Sequence, residues 1–469
     1  MFKSLVNAWK VQELRKKLLI TLLIIFLYRL GSNIMVPFIN YAAVEGLSTS
    51  SFGIFNILGG SAFSQATLFA LGVSPYITSS IIMQLLSVAL PSLERLSKSE
   101  DGKQKITAIT RYVTIAVAIV SAIGYYIMLK NYTYNFYGYQ FLYPLTKSAD
   151  NKGLSFFYAV VIIACFVAGS SIVMWLGEKI NEHGIGNGIS MILFANIISR
   201  GPGMLSDIIT TLRYAGKPGE YVSTGFAGQS FLAGGIAYVV GMSLFILCIL
   251  WFVIHISDSE RRIPIQYAKR VVGRKMYGGQ NTNLPIKLNM SGVMPIIFAS
   301  TILSIPQLVA MFIPKVQSGE LNKFWTGFFT QFMPSRGTSI TLIILNLIMI
   351  FAFAYFYVAI SFNPNEVSGN IQKNGGSIPG IRPGRPTADF VKKVLSRITF
   401  IGAAALAVIA VIPLIIQIIV NTVSPVIPFY VSDFVQSGTS IIIVVGVILE
   451  TLRELESQLS MRHYKGFLE

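Results

Sequence analysis

Uninterrupted charge-free runs constrain this chain more than any other feature. They cover residues 46–93, 112–129, 153–177, 288–314, 337–365 and 398–432. A helix of roughly 20 mostly apolar residues crosses a bilayer, and soluble helices rarely supply such stretches. With 53% hydrophobic and 12% charged residues over 469 positions, the chain carries more apolar surface than one aqueous core can hide. The sequence predicts an all-α, polytopic membrane protein. Ten spans are expected, at about 18–37, 73–92, 106–129, 154–175, 184–199, 231–256, 292–312, 340–362, 398–419 and 438–452.

Orientation follows from the placement of lysine and arginine, because basic loops stay on the cytoplasmic side. With the N-terminus inside, 27 of the 37 basic residues fall inside, 9 fall outside, and Arg29 sits in the first span. An even number of spans returns the C-terminus to the cytoplasm, where Arg453, Arg462 and Lys465 obey the same rule. The net charge of +17 is therefore mainly an inside-facing charge. Two inside loops are longer and more basic than orientation requires. Loop 257–289 carries Arg261, Arg262, Lys269, Arg270, Arg274, Lys275 and Lys287; loop 363–397 carries Lys373, Arg382, Arg385, Lys392, Lys393 and Arg397. Such loops suit anionic lipid, RNA phosphates or an acidic protein face, and charge alone does not choose among them.

Run 46–93 is too long for one span and too short for two helices with a polar loop. A half-span at about 52–70, interrupted by Gly59-Gly60 and followed by a restart at Gly72 and Pro75, would resolve it. Re-entrant backbone is tolerated only where it is buried in protein or lines a cavity. Two short helices on the outer surface are the alternative. Cys165 and Cys248 each lie in an apolar run without a second thiol nearby, which predicts buried small hydrophobes and no metal site. The basic N-terminal stretch leads into 18–30 with no small-x-small cleavage site after it, so it reads as a first span and not as a removable signal.

Five strings, in order, carry a resemblance. Leu58-Gly59-Gly60-Ser61-Ala62 is followed by Phe69-Ala70-Leu71-Gly72-Val73-Ser74-Pro75-Tyr76-Ile77. Met174-Trp175-Leu176-Gly177-Glu178-Lys179-Ile180 continues into Gly184-Ile185-Gly186-Asn187-Gly188-Ile189-Ser190. The loops read Glu260-Arg261-Arg262-Ile263-Pro264 with Tyr267-Ala268-Lys269-Arg270, and Phe362-Asn363-Pro364 with Ile378-Pro379-Gly380-Ile381-Arg382-Pro383-Gly384. Between them stands Leu284-Pro285-Ile286-Lys287-Leu288-Asn289-Met290-Ser291-Gly292-Val293-Met294-Pro295. Along nearly its whole length the chain resembles the SecY family, the channel subunits of the bacterial Sec translocon. Gln65 departs from the basic residue common in the plug of relatives, and the outer loop 130–152 has no counterpart to match.

The resemblance implies two pseudo-symmetric five-helix halves, 1–200 and 231–469, around a central pore, with 201–230 as an external hinge and 52–70 as a re-entrant plug. It implies a protein-conducting channel of the plasma membrane, with no enzymatic activity, cofactor or metal. An apolar constriction suits that task, since it resists ions by dewetting yet makes only non-directional contacts with a passing chain. The implied ring is Val73, Ile77, Ile189, Leu193, Ile297 and Ile443. Thr78, Gln84 and Asn289 would stand at a lateral gate between the second and seventh spans. Arg382, with Arg274 and Lys275, would dock the SecA motor or the ribosome. SecE-like and SecG-like membrane subunits, signal sequences, unfolded polypeptides and membrane lipids complete the implied partners.

A secondary transporter is the rival from another class, because inverted repeats and a broken helix are transporter features too. Ion coupling generally uses ionisable groups inside the membrane, and the predicted spans offer little beyond Arg29 and Glu450, each near a span end. An intramembrane enzyme fits less well. His183 and His255 lie at span ends, His463 lies in the tail, and no His-Glu-x-x-His or paired-Asp pattern falls inside a span.

Overall fold

The computed structural model describes residues 8–40, 62–99, 102–137, 152–203, 231–311, 340–423 and 438–465, apart from positions 64, 200, 268–269, 273–274, 278–280 and 291, and adds 6, 313 and 328. Its first half runs α1 (Gln12–Gly31), α2 (Ser74–Ala89), α3 (Pro91–Lys98), α4 (Gly102–Tyr137), α5 (Lys152–His183) and α6 (Gly188–Ile198). The rest runs α7 (Phe231–Asp258), β1 (Glu260–Tyr267), β2 (Arg270–Val272), β3 (Lys275–Tyr277), β4 (Asn281–Lys287), α8 (Met294–Met311), α9 (Ile340–Ser361), α10 (Pro364–Lys373), β5 (Gly376–Ser377), α11 (Arg385–Val423) and α12 (Gly438–Lys465).

Local chemistry sets several helix starts. Proline occupies the first turn of α2, α3 and α10, where its missing N–H leaves no intrahelical bond unmade. Asn187 caps α6 by accepting from the N–H groups of Ile189 and Ser190, and Asn363 caps α10 by accepting from Asn365. The long helices outrun the hydrocarbon core. At 1.5 Å per residue the 36-residue α4 is about 54 Å long, against a core of about 30 Å, so its ends project beyond the lipid. Among the described residues, 104–130, 156–183, 340–373 and 385–412 are long and apolar enough to cross a membrane.

The fold is mostly helical, as expected, and short strands stand beside the helices. β1 pairs antiparallel with β4 from Glu260↔Lys287 to Gln266↔Asn281, and β5 adds to the other side of β1 through Gln266↔Ser377 and Tyr267↔Gly376. The two basic loops, distant in sequence, are thus joined in one small sheet of order β4-β1-β5. Ile263 and Ile265 are buried while Arg262, Pro264 and Gln266 are exposed; this period-2 alternation is the strand signal that reading the segment as a loop overlooked. Beneath the sheet, Ile263, Ile286 and Ile378 pack with Val358 of α9 and Val391, Leu395 and Ile398 of α11. α11 accordingly starts at Arg385, well before the predicted span at 398.

Helices associate in the order α2–α4–α5–α6 on one side and α8–α9–α11–α12 on the other, with α2–α8, α4–α8 and α6–α12 joining the two groups and α7 packed on α12. Much of the predicted half-span, 52–61 and 64, lies outside the described residues. Its described end, from Ala62, forms turns that lean on α4 and α5: Phe63, Ala66, Ala70 and Leu71 pack with Tyr125, Met128, Ile162 and Phe166, and the Tyr125 hydroxyl donates to the Phe63 carbonyl. Gln65 is exposed. The cysteine expectation fails for Cys248, which is exposed on α7, while Cys165 is half-buried. A Cys on an apolar helix is buried only if that face meets another element, which spacing does not reveal.

Candidate pore constriction and basic platform

The six residues expected to ring a pore meet in one hydrophobic cluster. Val73, Ile77, Leu193, Ile297 and Ile443 are nearly fully buried in it, and Ile189 packs at its edge. Each belongs to the beginning of its helix: Val73 is the N-cap residue of α2 and Ile77 follows a turn later, while the others fall in the first two turns of α6, α8 and α12. The six thus come from four helices and share one cluster, a fact invisible in any one span. Polar neighbours on these helices are turned inward on their own backbones. Ser79 donates to the Pro75 carbonyl at 2.7 Å and Thr301 to the Ile297 carbonyl at 2.7 Å, which leaves branched aliphatic side chains to make the contact.

α2 and α8 pack directly on each other. Of the polar residues expected at that gate, Thr78 donates to the Ser74 carbonyl at 3.0 Å and Gln84 to the Ser80 hydroxyl at 3.4 Å, both within α2. Asn289, half-buried in the turn after β4, has its backbone beside Gly402 of α11. Helical Ser and Thr satisfy themselves through the carbonyl four residues back, and that local bond competes with an interhelical one.

Of the docking candidates, Arg382 is exposed on a turn that the fold holds on both sides. Ile381 N–H donates to the Ile378 carbonyl at 3.0 Å, and Thr387 Oγ1 donates to the Arg382 carbonyl at 2.8 Å. Lys275 lies in β3, where it pairs with Val272. Arg274 lies outside the described residues. Lys287, at the end of β4, has its ammonium pushed below the ordinary lysine range by burial, with Arg453 nearby as the next cause.

The α5–α6 strings acquire a physical account. Glu178 accepts from Arg111 Nε of α4 at 2.9 Å. At the corner, Asn181 Oδ1 accepts from Gly188 N–H at 2.7 Å, and a Cβ on Gly188 would lie 1.9 Å from the Gly177 carbonyl oxygen. Only glycine permits so close a return of the chain. Ile185 N–H donates to Thr21 Oγ1 of α1 at 3.0 Å, and Gly186 N–H donates to Glu454 Oε2 of α12 at 2.9 Å. Arg453, next along, donates to the Ser257 carbonyl at 2.5 Å and to Asp258 Oδ1 at 3.3 Å at the end of α7. In the sequence, orientation alone accounts for Arg453 and nothing singles out Glu454. These two adjacent residues tie α12 to the α5–α6 corner and to the end of α7, and Glu and Arg together in a helix that starts apolar are the available signal.

A SecY family model matches residues 67–452. Protein translocase subunit SecY of Streptomyces galbus is 40% identical over the full length of both chains, and that of Mycobacterium bovis is 38% identical, again over both full lengths. Among solved structures, a protein conducting channel superposes with a TM-score of 0.59 at 18% identity, covering 94% of this chain and 92% of that one. Sec61 in the canine ribosome-channel complex from the endoplasmic reticulum gives 0.57 at 17% identity, with 94% and 92% covered. At such identities the likeness speaks for the fold, while the curated relatives speak for descent. On both grounds this multi-pass membrane protein belongs to the SecY family of protein translocase subunits.

Proposed function

We propose that this chain, a channel for translocating polypeptide, closes its pore with Val73, Ile77, Ile189, Leu193, Ile297 and Ile443 and opens sideways between α2 and α8. The supporting observation is that all six, from four helices far apart in sequence, share one buried apolar cluster. A seal of branched methyls dewets and so blocks ions without offering a ligand that a passing chain would have to match. The transporter alternative gives way, because relatives at about 40% identity are protein translocase subunits.

In this reading the chain sits in a bacterial plasma membrane with both termini in the cytoplasm, and its halves, 1–200 and 231–469, hinge at 201–230 around a plug at 52–70. The sheet-bound platform bearing Arg382, together with Arg274 and Lys275, receives a motor ATPase such as SecA or a ribosome; a structural neighbour in a ribosome-channel complex supports the second. Small SecE-like and SecG-like subunits cover lipid-facing helices. Thr78, Gln84 and Asn289 line the approach to the gate.

Planar-bilayer recordings test the ring. Joint replacement of Ile77, Ile189, Ile297 and Ile443 by Ser is expected to raise the ion conductance of the resting channel, because hydroxyls wet the constriction. Silent traces from a variant that is folded and inserted normally would refute the ring.

A further inference from the structure

A cavity of about 890 Å³ opens between the end of α9, α10 and the start of α11, within the range of about 300–1,000 Å³ typical of small-molecule sites. Its walls differ in chemistry. Along α11, Arg385, Asp389, Lys392, Leu395 and Thr399 line it at three- or four-residue intervals, so one stripe of that helix is charged at its start and uncharged further on. α9 contributes Tyr355, Val358 and Ala359, Phe362 follows its end, and α10 contributes the uncharged polar residues Asn365, Ser368 and Gln372. At the apolar end the Tyr355 hydroxyl donates to the Ser396 carbonyl at 3.2 Å, joining α9 to α11. Both walls continue into segments long and apolar enough to cross a membrane.

Two cations against one carboxylate leave the mouth positive, and the charge fades along the helices into aliphatic and aromatic surface. A phospholipid presents the complementary gradient, with phosphate at the interface and acyl chains below it. Basic pockets at the ends of spanning helices hold anionic headgroups in this way. An acidic peptide would match the two cations but not the apolar descent beneath them.

We propose that this groove binds an anionic glycerophospholipid, its phosphate between Arg385 and Lys392, its headgroup hydroxyls toward Asn365 and Gln372, and its acyl chains along Tyr355, Ala359 and Phe362. The site rests on α9 and α11 crossing the bilayer, and it is separate from the apolar ring.

Native mass spectrometry of the detergent-purified full chain, titrated with phosphatidylglycerol and separately with phosphatidylcholine, tests it. Wild type is expected to retain phosphatidylglycerol at roughly tenfold lower concentration than phosphatidylcholine, as two interfacial cations offset by one carboxylate would give. R385Q/K392Q should lose that preference while keeping the unfolding temperature of wild type. K393Q/R397Q removes the same charge outside the groove and should keep the preference. A preference that survives in R385Q/K392Q, or that falls equally in K393Q/R397Q, overturns the site. Displacement of the lipid by millimolar inorganic phosphate would make this a free-phosphate site and also overturn it. Leak recordings on the ring variants stand apart: a wild type without lipid preference but with intact ring behaviour refutes the groove alone, and failure of the ring recordings refutes the channel reading instead.

Discussion

Gly188 shows how a single residue governs the α5–α6 corner. An added Cβ would lie 1.9 Å from a backbone oxygen, and backbone cannot swing away as a side chain can. Gly188→Ala is therefore expected to destabilise the protein by about 1–3 kcal/mol, the usual cost of overpacking, read as a lowered unfolding temperature in detergent. Gly241→Ala on α7 meets nothing within 4 Å and is expected to be neutral or slightly stabilising. Equal melting of the two variants would show that the close approach to Gly177 is not maintained. The glycines of this string were legible as a pattern, but which of them faces a carbonyl was not, since that depends on how two helices fold back.

Elements carry the docking and gating readings. The Arg382 turn belongs to a platform in which β5 of one loop completes the sheet of the other, so its guanidinium is presented from a supported corner. Arg382→Glu is expected to reduce motor-driven export by about tenfold, as loss of one charged anchor worth about 1.4 kcal/mol would, with unchanged insertion of the channel itself. Normal export at normal protein level would remove Arg382 from the docking surface. Between α2 and α8, the seam depends on apolar packing, because Thr78 and Gln84 bond within their own helix. Cysteines at Gln84 and scanned from Met294 to Ile297 are expected to cross-link in the resting state and to block export on oxidation. The exposed Cys248 must first be replaced to keep the reading clean. If no pair cross-links, the gate lies elsewhere.

Sealing is a property of the whole molecule, since the ring draws on helices of both groups. Val73, Ile77, Ile189 and Leu193 come from α2 and α6, and Ile297 and Ile443 from α8 and α12. Polar substitution on one side leaves the opposite methyls to exclude water, so each half-variant is expected to leak little and the combined variant far more. Residues in contact are non-additive in this manner, with coupling of roughly 0.5–3 kcal/mol. Strictly additive conductances would mean that the two sides do not share one constriction. The same dependence on both groups explains the Glu454 and Arg453 contacts, which fasten α12 to α6 and α7 at one end of the bundle.

By itself the sequence determined what the solvent demands: charge-free runs of span length force helices, and the distribution of lysine and arginine biases their orientation. It also marked Val73, Ile77, Ile189, Leu193, Ile297 and Ile443 through resemblance, although each alone is an ordinary apolar residue in an apolar helix. Their meeting, the pairing of Glu260–Gln266 with Asn281–Lys287, and the addition of Gly376 and Ser377 as a third strand were decided by tertiary structure. The reason is physical. Helix formation in lipid is enforced residue by residue through the cost of an unpaired backbone group, whereas which faces touch depends on packing between segments hundreds of residues apart, and lipid tails give no hydrophobic drive that a linear pattern could record.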